Sequence, residues 1–311
     1  MSDDAITGVD ELDARLRRGD PVILDGGMGT ELEARGVPMN RDAWSALANL
    51  EHADTVEQAH VDFLTAGADV VIANTFPAGL FALEAAGLGE SFEDVNRRAV
   101  HAALRARERA APDRPVAVAG SISPMSAGAD IHVAERSRQE LLAAYRRQAT
   151  VLADAGADFI VTEMIQSVQW HGPAVEAAVE TDLPVWLGVS AGPISEGGSV
   201  PPLNFAEESL DQLVASLVEL PVRAVAVMHT DIDDVDGALD VVQRRWSGPL
   251  AAYPHHGEYH PPSWTFYDLA PQELVRRAQI WTDRGVAALG GCCGIRPRHI
   301  QQLHDALRGD D

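Results

Sequence analysis

The sequence contains no lysine, and its positive charge comes from arginine alone. All 24 basic residues among the 311 are arginines, and 47 acidic residues outweigh them to give a formal net charge of −23. A surface this acidic repels nucleic acid and anionic membranes. We therefore expect small-molecule partners, and the charge itself says little about which ones.

Long apolar runs and a leader sequence are also missing. No apolar run approaches the roughly 18 residues that a membrane-spanning helix needs. The start of the chain, Met1-Ser2-Asp3-Asp4, is acidic and lacks the basic-then-apolar form of a signal peptide. The chain has only 2 cysteines, as is usual in a reducing compartment. We expect a cytoplasmic protein without a membrane segment, and leave open whether it forms oligomers.

Short buried strands alternate with helical stretches along the whole chain. Apolar runs start near residues 21, 70, 116, 159, 185, 224, 249 and 286. Helical patterns cover residues 10–18, 52–66, 92–110, 136–155, 205–218 and 271–284. Continuous apolar strands separated by helices indicate a parallel sheet, and eight of them indicate a closed barrel. We predict one domain over residues 1–311, an α/β fold of the (β/α)8 TIM-barrel type.

A doubly wound open sheet is the alternative architecture. It usually carries Gly-x-Gly-x-x-Gly after its first strand. Here the first strand is followed by Asp25-Gly26-Gly27-Met28-Gly29-Thr30, in which that spacing is absent. A weak repeat, Gly67-Ala68-Asp69 and Gly156-Ala157-Asp158, joins helix ends to strands. The barrel is the better interpretation.

Unusual polar residues follow the strands at their carboxyl ends. In a barrel these ends meet in one ring, where enzymes of this fold hold their active sites. The residues are Asp25, Asn74, Thr75, Ser121, Glu163, Ser190, His229, His255, His256, Cys292 and Cys293.

Two carboxylates of this ring are our candidate catalytic groups. Asp25 and Glu163 suit an ammonium group, which carboxylates bind by charge-assisted hydrogen bonds. The alternative for Glu163 is an ion pair with an arginine. The turn Gly26-Gly27-Met28-Gly29 comes just before a predicted helix that begins near Thr30. Its exposed backbone N–H groups suit an anion such as a carboxylate. We expect substrate contacts from Gly27, Met28, Thr30, Asn74, Thr75, Ser121 and Glu163.

The two cysteines are adjacent, in Gly290-Gly291-Cys292-Cys293-Gly294. Adjacent cysteines rarely bond to each other, because the ring is strained. Two neighbouring thiols can instead reach one soft metal ion where glycines let the backbone bend. The alternative is a buried thiol pair in a glycine-rich turn. Zinc suits sulfur and imidazole, and three protein ligands leave it one open position. The leading third ligand is His229; the others are His255, His256 and His260.

The sequence resembles the homocysteine S-methyltransferase family, whose domain is a zinc-bearing (β/α)8 barrel. The matching stretches, in family order across nearly the whole chain, are residues 24–30, 44–45, 66–69, 73–76, 120–121, 157–158, 163, 253–254, 257–258, 281 and 290–300. The resemblance implies that Cys292 and Cys293 are two of three zinc thiolates. His229 stands where the family has its third cysteine, and His255-His256 replace the Asn-Ser of the family's Tyr-Pro-Asn-Ser-Gly.

The function that the resemblance implies is zinc-dependent methyl transfer from an onium compound to a thiol. The donor would be S-methylmethionine, S-adenosylmethionine or a betaine-like compound, and homocysteine would give methionine. Tyr253 and Trp44 would line the substrate pocket, where an aromatic face attracts a cationic methyl donor by about 1 kcal/mol. The alternative for Trp44 is a packing role in its loop.

Two other functions stay open, because His229, His255 and His256 bring imidazole nitrogen to a site that is rich in sulfur in the family. One is a metal-dependent hydrolase or lyase acting on a small molecule. The other is a binding protein that has lost the metal. Fold analogy alone does not decide between them.

Overall fold

Eight parallel strands form a nearly closed barrel, which confirms the predicted fold. The computed structural model describes residues 8–124, 136–260, 263–267 and 269–309. The barrel strands are β1 (Val22–Ile23), β2 (Val70–Ile72), β3 (Ala117–Ile122), β4 (Phe159–Ile165), β5 (Val185–Val189), β6 (Ala224–Asp231), β7 (Leu250–His255) and, after a separate antiparallel hairpin of β8 (Gly257–His260) and β9 (Ser263–Phe266), β10 (Val286–Leu289).

The barrel is brought together where its first and second strands meet. Hydrogen-bonded neighbours run in the order β1-β10-β7-β6-β5-β4-β3-β2. A parallel bridge between Leu24 and Val70 joins the two ends of this order, and the Asp69 N–H donates to the Ile23 carbonyl oxygen at 2.7 Å. The carboxyl ends of all eight strands therefore lie on one face.

Helices follow the strands and cover the outside of the barrel. They are α1 (Gly8–Arg18), α2 (Met28–Ala34), α3 (Ala48–Glu51), α4 (Ala53–Thr65), α5 (Leu80–Ala85), α6 (Phe92–Ala110), α7 (Arg138–Asp154), α8 (Gly172–Val179), α9 (Leu210–Leu217), α10 (Val235–Arg245), α11 (Pro271–Asp283) and α12 (Pro297–Arg308). No helix in the described ranges has the length and apolarity to cross a membrane.

Side chains alternate between the barrel interior and the helix layer, as the period of a strand requires. On β6, Ala224, Ala226 and Met228 belong to the interior cluster, whereas Val225 and Val227 pack under the helices. The interior cluster also contains Leu12 and Leu16 of α1, which close the amino-terminal end. The opposite end is left for the polar ring.

The Gly-Ala-Asp repeat has a structural function. The Asp69 carboxylate accepts the Ile23 N–H at 2.9 Å, and the Asp158 carboxylate accepts the Val118 N–H at 2.6 Å. Each aspartate thus ties the start of its own strand to the neighbouring strand. Asp69 also pairs with Arg15, Arg114 and Arg308, so it anchors the first and last helices to the amino-terminal end of the barrel.

Several predicted boundaries were wrong by more than a residue. The helix expected from residue 205 begins at Leu210, because the Ser209 side chain caps it by accepting the Gln212 N–H. Strands β3, β4, β6 and β7 run two to four residues further than expected. They therefore include Ser121, Glu163, His229 and His255, which the sequence placed just after them.

A buried histidine makes stability depend on pH. His60 on α4 is fully buried, neither ring nitrogen has a hydrogen-bond partner among the described residues, and burial lowers its pKa to about 3. The folded protein holds this ring neutral, whereas the unfolded chain protonates it below about pH 6.5. The resulting stability is complete above pH 6.5 and is lost progressively as the pH falls from there towards 3.

We predict that His60→Leu reduces acid sensitivity. Between pH 7.5 and 5.5 the free energy of unfolding should fall by about 1.4 kcal/mol less in the variant than in the wild type. Urea denaturation at the two pH values measures this difference. His101→Leu, at an exposed position of α6, is the matched control and should keep the wild-type pH dependence. Equal losses in wild type and His60→Leu would contradict the prediction.

Candidate active site

Three strand ends are joined at the mouth of the barrel by a chain of polar contacts. The His229 Nε2 lies 2.6 Å from Glu163 Oε2, and His229 Nδ1 lies 3.0 Å from the Cys292 Sγ. The Cys292 and Cys293 sulfurs are 3.5 Å apart, and both thiols are free and buried. The His229 ring therefore contacts the Cys292 thiol, whose sulfur lies against that of Cys293, and the ligand role of His229 stays a prediction.

The backbone of β6 turns His229 towards the mouth. Strict alternation after Met228 would send the side chain of residue 229 to the helix side. Instead, the β6–β7 register shifts between Met228 and Asp231, and His229 has a left-handed φ of 49°. Such a conformation is costly for a residue other than glycine, and it is commonly kept at functional sites. The bend lets a long side chain fold back onto the thiols.

Strand β4 has a similar irregularity beside Glu163. Its pairing with β5 shifts between Thr162 and Ile165, and Met164 has a φ of 57°. The buried His171 ring accepts the Gln166 N–H at 2.9 Å and so holds the chain after the bulge. Met164 and Gln166 were not among the predicted site residues. No motif in the sequence marks either of them as part of the site.

The cysteine loop packs tightly against its neighbours. The Cys292 N–H donates to the Pro254 carbonyl, and the His256 N–H donates to the Cys293 carbonyl at 3.1 Å. A Cβ on Gly290 would come within 2.6 Å of Leu24 Cβ, and one on Gly27 within 2.6 Å of the Cys292 carbonyl oxygen. Glycine is thus required at these two positions because segments of the backbone approach each other closely. The tight packing holds the two thiols of the loop in place.

Asp25 is fully buried and satisfied by the protein. Its carboxyl group accepts the Ile72 N–H at 2.8 Å, and the Tyr253 hydroxyl lies 3.1 Å from Oδ1 and 2.8 Å from the Gly26 carbonyl oxygen. Burial raises the Asp25 pKa well above its usual value, although these hydrogen bonds act in the opposite direction. Since the Tyr253 hydroxyl carries one hydrogen, both of its contacts are hydrogen bonds only when Asp25 is protonated.

Burial also keeps the neighbouring groups neutral. It raises the pKa of the Tyr253 hydroxyl, and the carboxyl group of Asp25 beside it is the next cause. It raises the pKa of the Cys292 thiol, with the adjacent Cys293 as the next cause. Burial, with the nearby His229 as the next cause, lowers the pKa of His255 to about 4. The mouth is therefore a place where a bare charge is costly.

The other two imidazoles lie at the rim. His255 bonds to the backbone of His229, whereas the His256 ring packs edge-on against Tyr267 with centroids 5.7 Å apart. The side chain of His260, another candidate ligand, lies outside the described residues.

Asn74, Thr75 and Ser121 build the wall of the mouth. Asn74 exchanges hydrogen bonds of 2.9–3.0 Å with Ser45 and Asn49, so it holds the segment that carries Trp44. Thr75 Oγ1 accepts the Ser121 N–H at 2.8 Å. Ser121 Oγ is buried and has no hydrogen-bond partner within the described part of the chain. Of these three predicted contacts, Ser121 has a polar atom still available to a ligand.

The turn before α2 is used internally. The Gly27 N–H donates to the Ile295 carbonyl at 3.0 Å, and α2 already begins at Met28. Thr30 Oγ1 donates to the Gly27 carbonyl and accepts the Gly294 N–H at 3.3 Å. Gly27 and Thr30 thereby bind the cysteine loop rather than present these groups to an anion.

Two aromatic rings border the thiol site. Trp44 is half-buried, lies over Gly29 and packs on the interior cluster that contains both cysteines. The half-buried Phe76 ring lies 5.1 Å from the His229 ring, centroid to centroid. Phe76 was part of a recognised motif but was not among the predicted site residues, because nothing in the sequence showed that the chain brings it to His229.

The donor types at the mouth fit a soft metal ion. When two thiolates and an imidazole share one tetrahedral zinc ion, the two sulfur atoms are about 3.8 Å apart. Each sulfur is then about 3.5 Å from the ligating nitrogen. The corresponding distances here are 3.5 Å between the sulfurs and 3.0 Å from Cys292 Sγ to His229 Nδ1. Within the described part of the chain no three such side chains already surround a common point.

A (β/α)8 barrel with thiols, an imidazole and carboxylates at the carboxyl ends of its strands defines a barrel enzyme with a thiol-rich active site. The family profile described as homocysteine S-methyltransferase matches residues 22–307. The chain belongs to the homocysteine S-methyltransferase family and is an S-methyltransferase.

Individual relatives are distant but extend over nearly the full length. The chain is 29% identical to homocysteine S-methyltransferase 4 of Zea mays over 93% of its own length and 90% of the relative's. It is 27% identical to selenocysteine Se-methyltransferase of Brassica oleracea var. italica, over 93% and 89%. The metallated form of the Escherichia coli homocysteine methyltransferase MmuM superposes with a TM-score of 0.74 and 26% identity, covering 94% of this chain and 98% of that one.

Proposed function

We propose that this protein transfers a methyl group from a small onium donor to homocysteine, giving methionine, with one zinc ion held by Cys292, Cys293 and His229. The observation that carries the proposal is the meeting of these three side chains at the mouth of a barrel of this family. The metallated MmuM structure lends support to the metal. The reaction needs only small molecules and suits a cytoplasmic enzyme.

The three side chains would hold the metal in a buried pocket. When bound, zinc would stabilise the acceptor as a thiolate at neutral pH. Cys292, Cys293 and His229 are each less than a tenth exposed, so water is largely excluded from the place where the acceptor sulfur would lie. Exclusion of water strengthens attraction between charges and favours a nucleophile that has lost its hydration shell.

Glu163 supplies the acceptor's recognition. Its Oε2 contacts His229, and its Oε1 makes no hydrogen bond among the described residues. An ammonium group of the amino acid can therefore bind Oε1 without displacing the histidine. Asp25 supports this arrangement by holding Tyr253 and the β1 end in place rather than by offering a free oxygen.

The donor's positive methyl group would lie against the aromatic side of the mouth. The acceptor sulfur forms a bond to the methyl carbon while the donor's bond to that carbon breaks, and the donor's electron pair leaves with a neutral sulfide or amine. The barrel contributes by aligning the two partners. Trp44 and Phe76 offer ring faces to a cationic methyl donor. S-methylmethionine, S-adenosylmethionine and betaine-like compounds all carry a cationic centre of this kind.

Two other readings have observations in their favour. The similarity to a selenocysteine Se-methyltransferase makes selenocysteine a second acceptor to test. A metal-dependent hydrolase or lyase gains support from the imidazole of His255 beside His229. Each of these alternatives predicts a different product from the same purified protein.

We predict that the purified protein contains one zinc per chain and forms methionine from homocysteine and one of the three onium donors. Metal analysis after dialysis against a weak chelator, followed by mass spectrometry of products, measures both. His229→Ala should lose most of the zinc and the activity, because only two of the three protein ligands remain. A metal-free wild type, or no methylated thiol or selenol with any donor, would overturn the proposal.

We predict that Trp44→Ala raises the KM for the onium donor about fivefold, since a cation–π contact contributes about 1 kcal/mol. The KM for homocysteine should not change. Trp246→Ala is the matched control, because Trp246 precedes β7 at the opposite end of the barrel. Steady-state kinetics with each substrate varied provides the test. An unchanged donor KM in Trp44→Ala would show that this tryptophan only packs.

A further inference from the structure

We propose that Glu163 is a positioning residue that orients His229, so that Nδ1 of the imidazole is the atom facing the metal. The inference rests on the zinc of the proposed function and goes beyond it. It assigns Nδ1 as the metal-binding atom of His229. It also gives Glu163 a role in orienting the imidazole, which would not be needed if another residue stood at position 229.

The hydrogen-bond partners assign the two ring nitrogens different roles. A carboxylate oxygen can only accept, so the 2.6 Å contact between Glu163 Oε2 and His229 Nε2 places the hydrogen on Nε2. In a neutral imidazole the other nitrogen then carries a lone pair. That nitrogen, Nδ1, is the one 3.0 Å from the Cys292 sulfur. The lone pair thus points at the thiol site.

Glu163 has no competing partner of opposite charge. It is almost fully buried, and among the described residues its one ion-pair partner is His229. An arginine partner, the alternative raised by the sequence, is not found in these ranges. Histidine ligands of metals usually donate their second N–H to a carboxylate or carbonyl, which fixes ring orientation and strengthens the ligand. The pair has this arrangement.

The neighbouring structure holds the imidazole at the angle that this contact requires. The left-handed backbone at His229 turns the ring inwards, and Phe76 packs on it with ring planes 30° apart. Tyr253 lies on another side, with ring centroids 6.5 Å apart and an interplanar angle of 68°. The ring is thus confined by two aromatic contacts, while Glu163 selects which nitrogen faces Cys292.

The role depends on the side chain at position 229. A thiolate ligand has no second N–H, so a cysteine there would need no acceptor from Glu163. Removing the carboxylate should therefore weaken zinc binding when residue 229 is histidine and leave it unchanged when residue 229 is cysteine. A carboxylate that merely shapes the pocket would have the same effect in both backgrounds.

The experiment measures zinc affinity by chelator competition in the full-length protein. We expect Glu163→Ala to bind zinc about 10- to 100-fold more weakly than wild type. Glu163→Gln should stay within about fivefold, because its amide oxygen still accepts the Nε2 hydrogen. In the His229→Cys background, Glu163→Ala should change the affinity by less than about twofold. Glu176→Ala, at a half-buried glutamate that pairs with Arg138 on the outside of the barrel, is the control and should match wild type.

A spectroscopic readout keeps the test independent of how well a variant folds. Nitrogen-15 NMR of the zinc-loaded wild type should show His229 with a protonated Nε2 and a metal-bound Nδ1. Zinc bound through Nε2 would overturn the inference, as would equal losses from Glu163→Ala in both backgrounds. Either result would leave the proposed methyl transfer standing if wild type binds zinc. A wild type that binds none would overturn both.

Discussion

The contact of His229 with Glu163 on one side and Cys292 on the other is the interaction on which the candidate site depends. It joins β4, β6 and the loop after β10, which are far apart in sequence. These groups meet because the barrel brings all strand ends to one face, and the joining of β1 to β2 completes that ring. Asp69 contributes from the opposite end by tying β1, α1 and α12 together.

Histidine at position 229 changes the electrostatics of a site that the family builds from thiols. A neutral imidazole in place of a thiolate leaves the ligand set one unit less negative. The acceptor sulfur would then carry less electron density, which lowers its nucleophilicity and strengthens the metal as a Lewis acid. Burial of Asp25, Tyr253 and Cys292 in their neutral forms is consistent with a mouth that tolerates little net charge.

The strands could be read from the sequence because each is a short, continuous apolar run. Their predicted starts agree with the structure to within one residue, and the ring of polar ends followed from barrel topology. The direction of His229 could not be read in this way. Alternation along β6 would have turned it outwards, and the left-handed bend that reverses it leaves no mark in the residue types. The contact of Phe76 with His229 depends on the same bend.

The start of α9 differs from the predicted one, although the sequence contains a pattern that marks it. Ser209 and Gln212 have the spacing of a helix cap, which marks the start of α9 more accurately than the apolar pattern does. Asn74, Thr75 and Thr30 were predicted as ligand contacts because they are polar residues near the mouth. Their side chains hydrogen-bond neighbouring segments of the protein. In physical terms, burial requires that most polar atoms find protein partners first.

In the proposed site, one imidazole and two thiolates would share a metal ion at the barrel mouth. X-ray absorption at the zinc edge of the zinc-loaded protein measures this ligand set. We expect two sulfur ligands at about 2.3 Å and a nitrogen ligand at about 2.0 Å, with the imidazole signature lost in His229→Cys. A zinc shell of oxygen and nitrogen alone, or an imidazole signature that persists in His229→Cys, would contradict the claim.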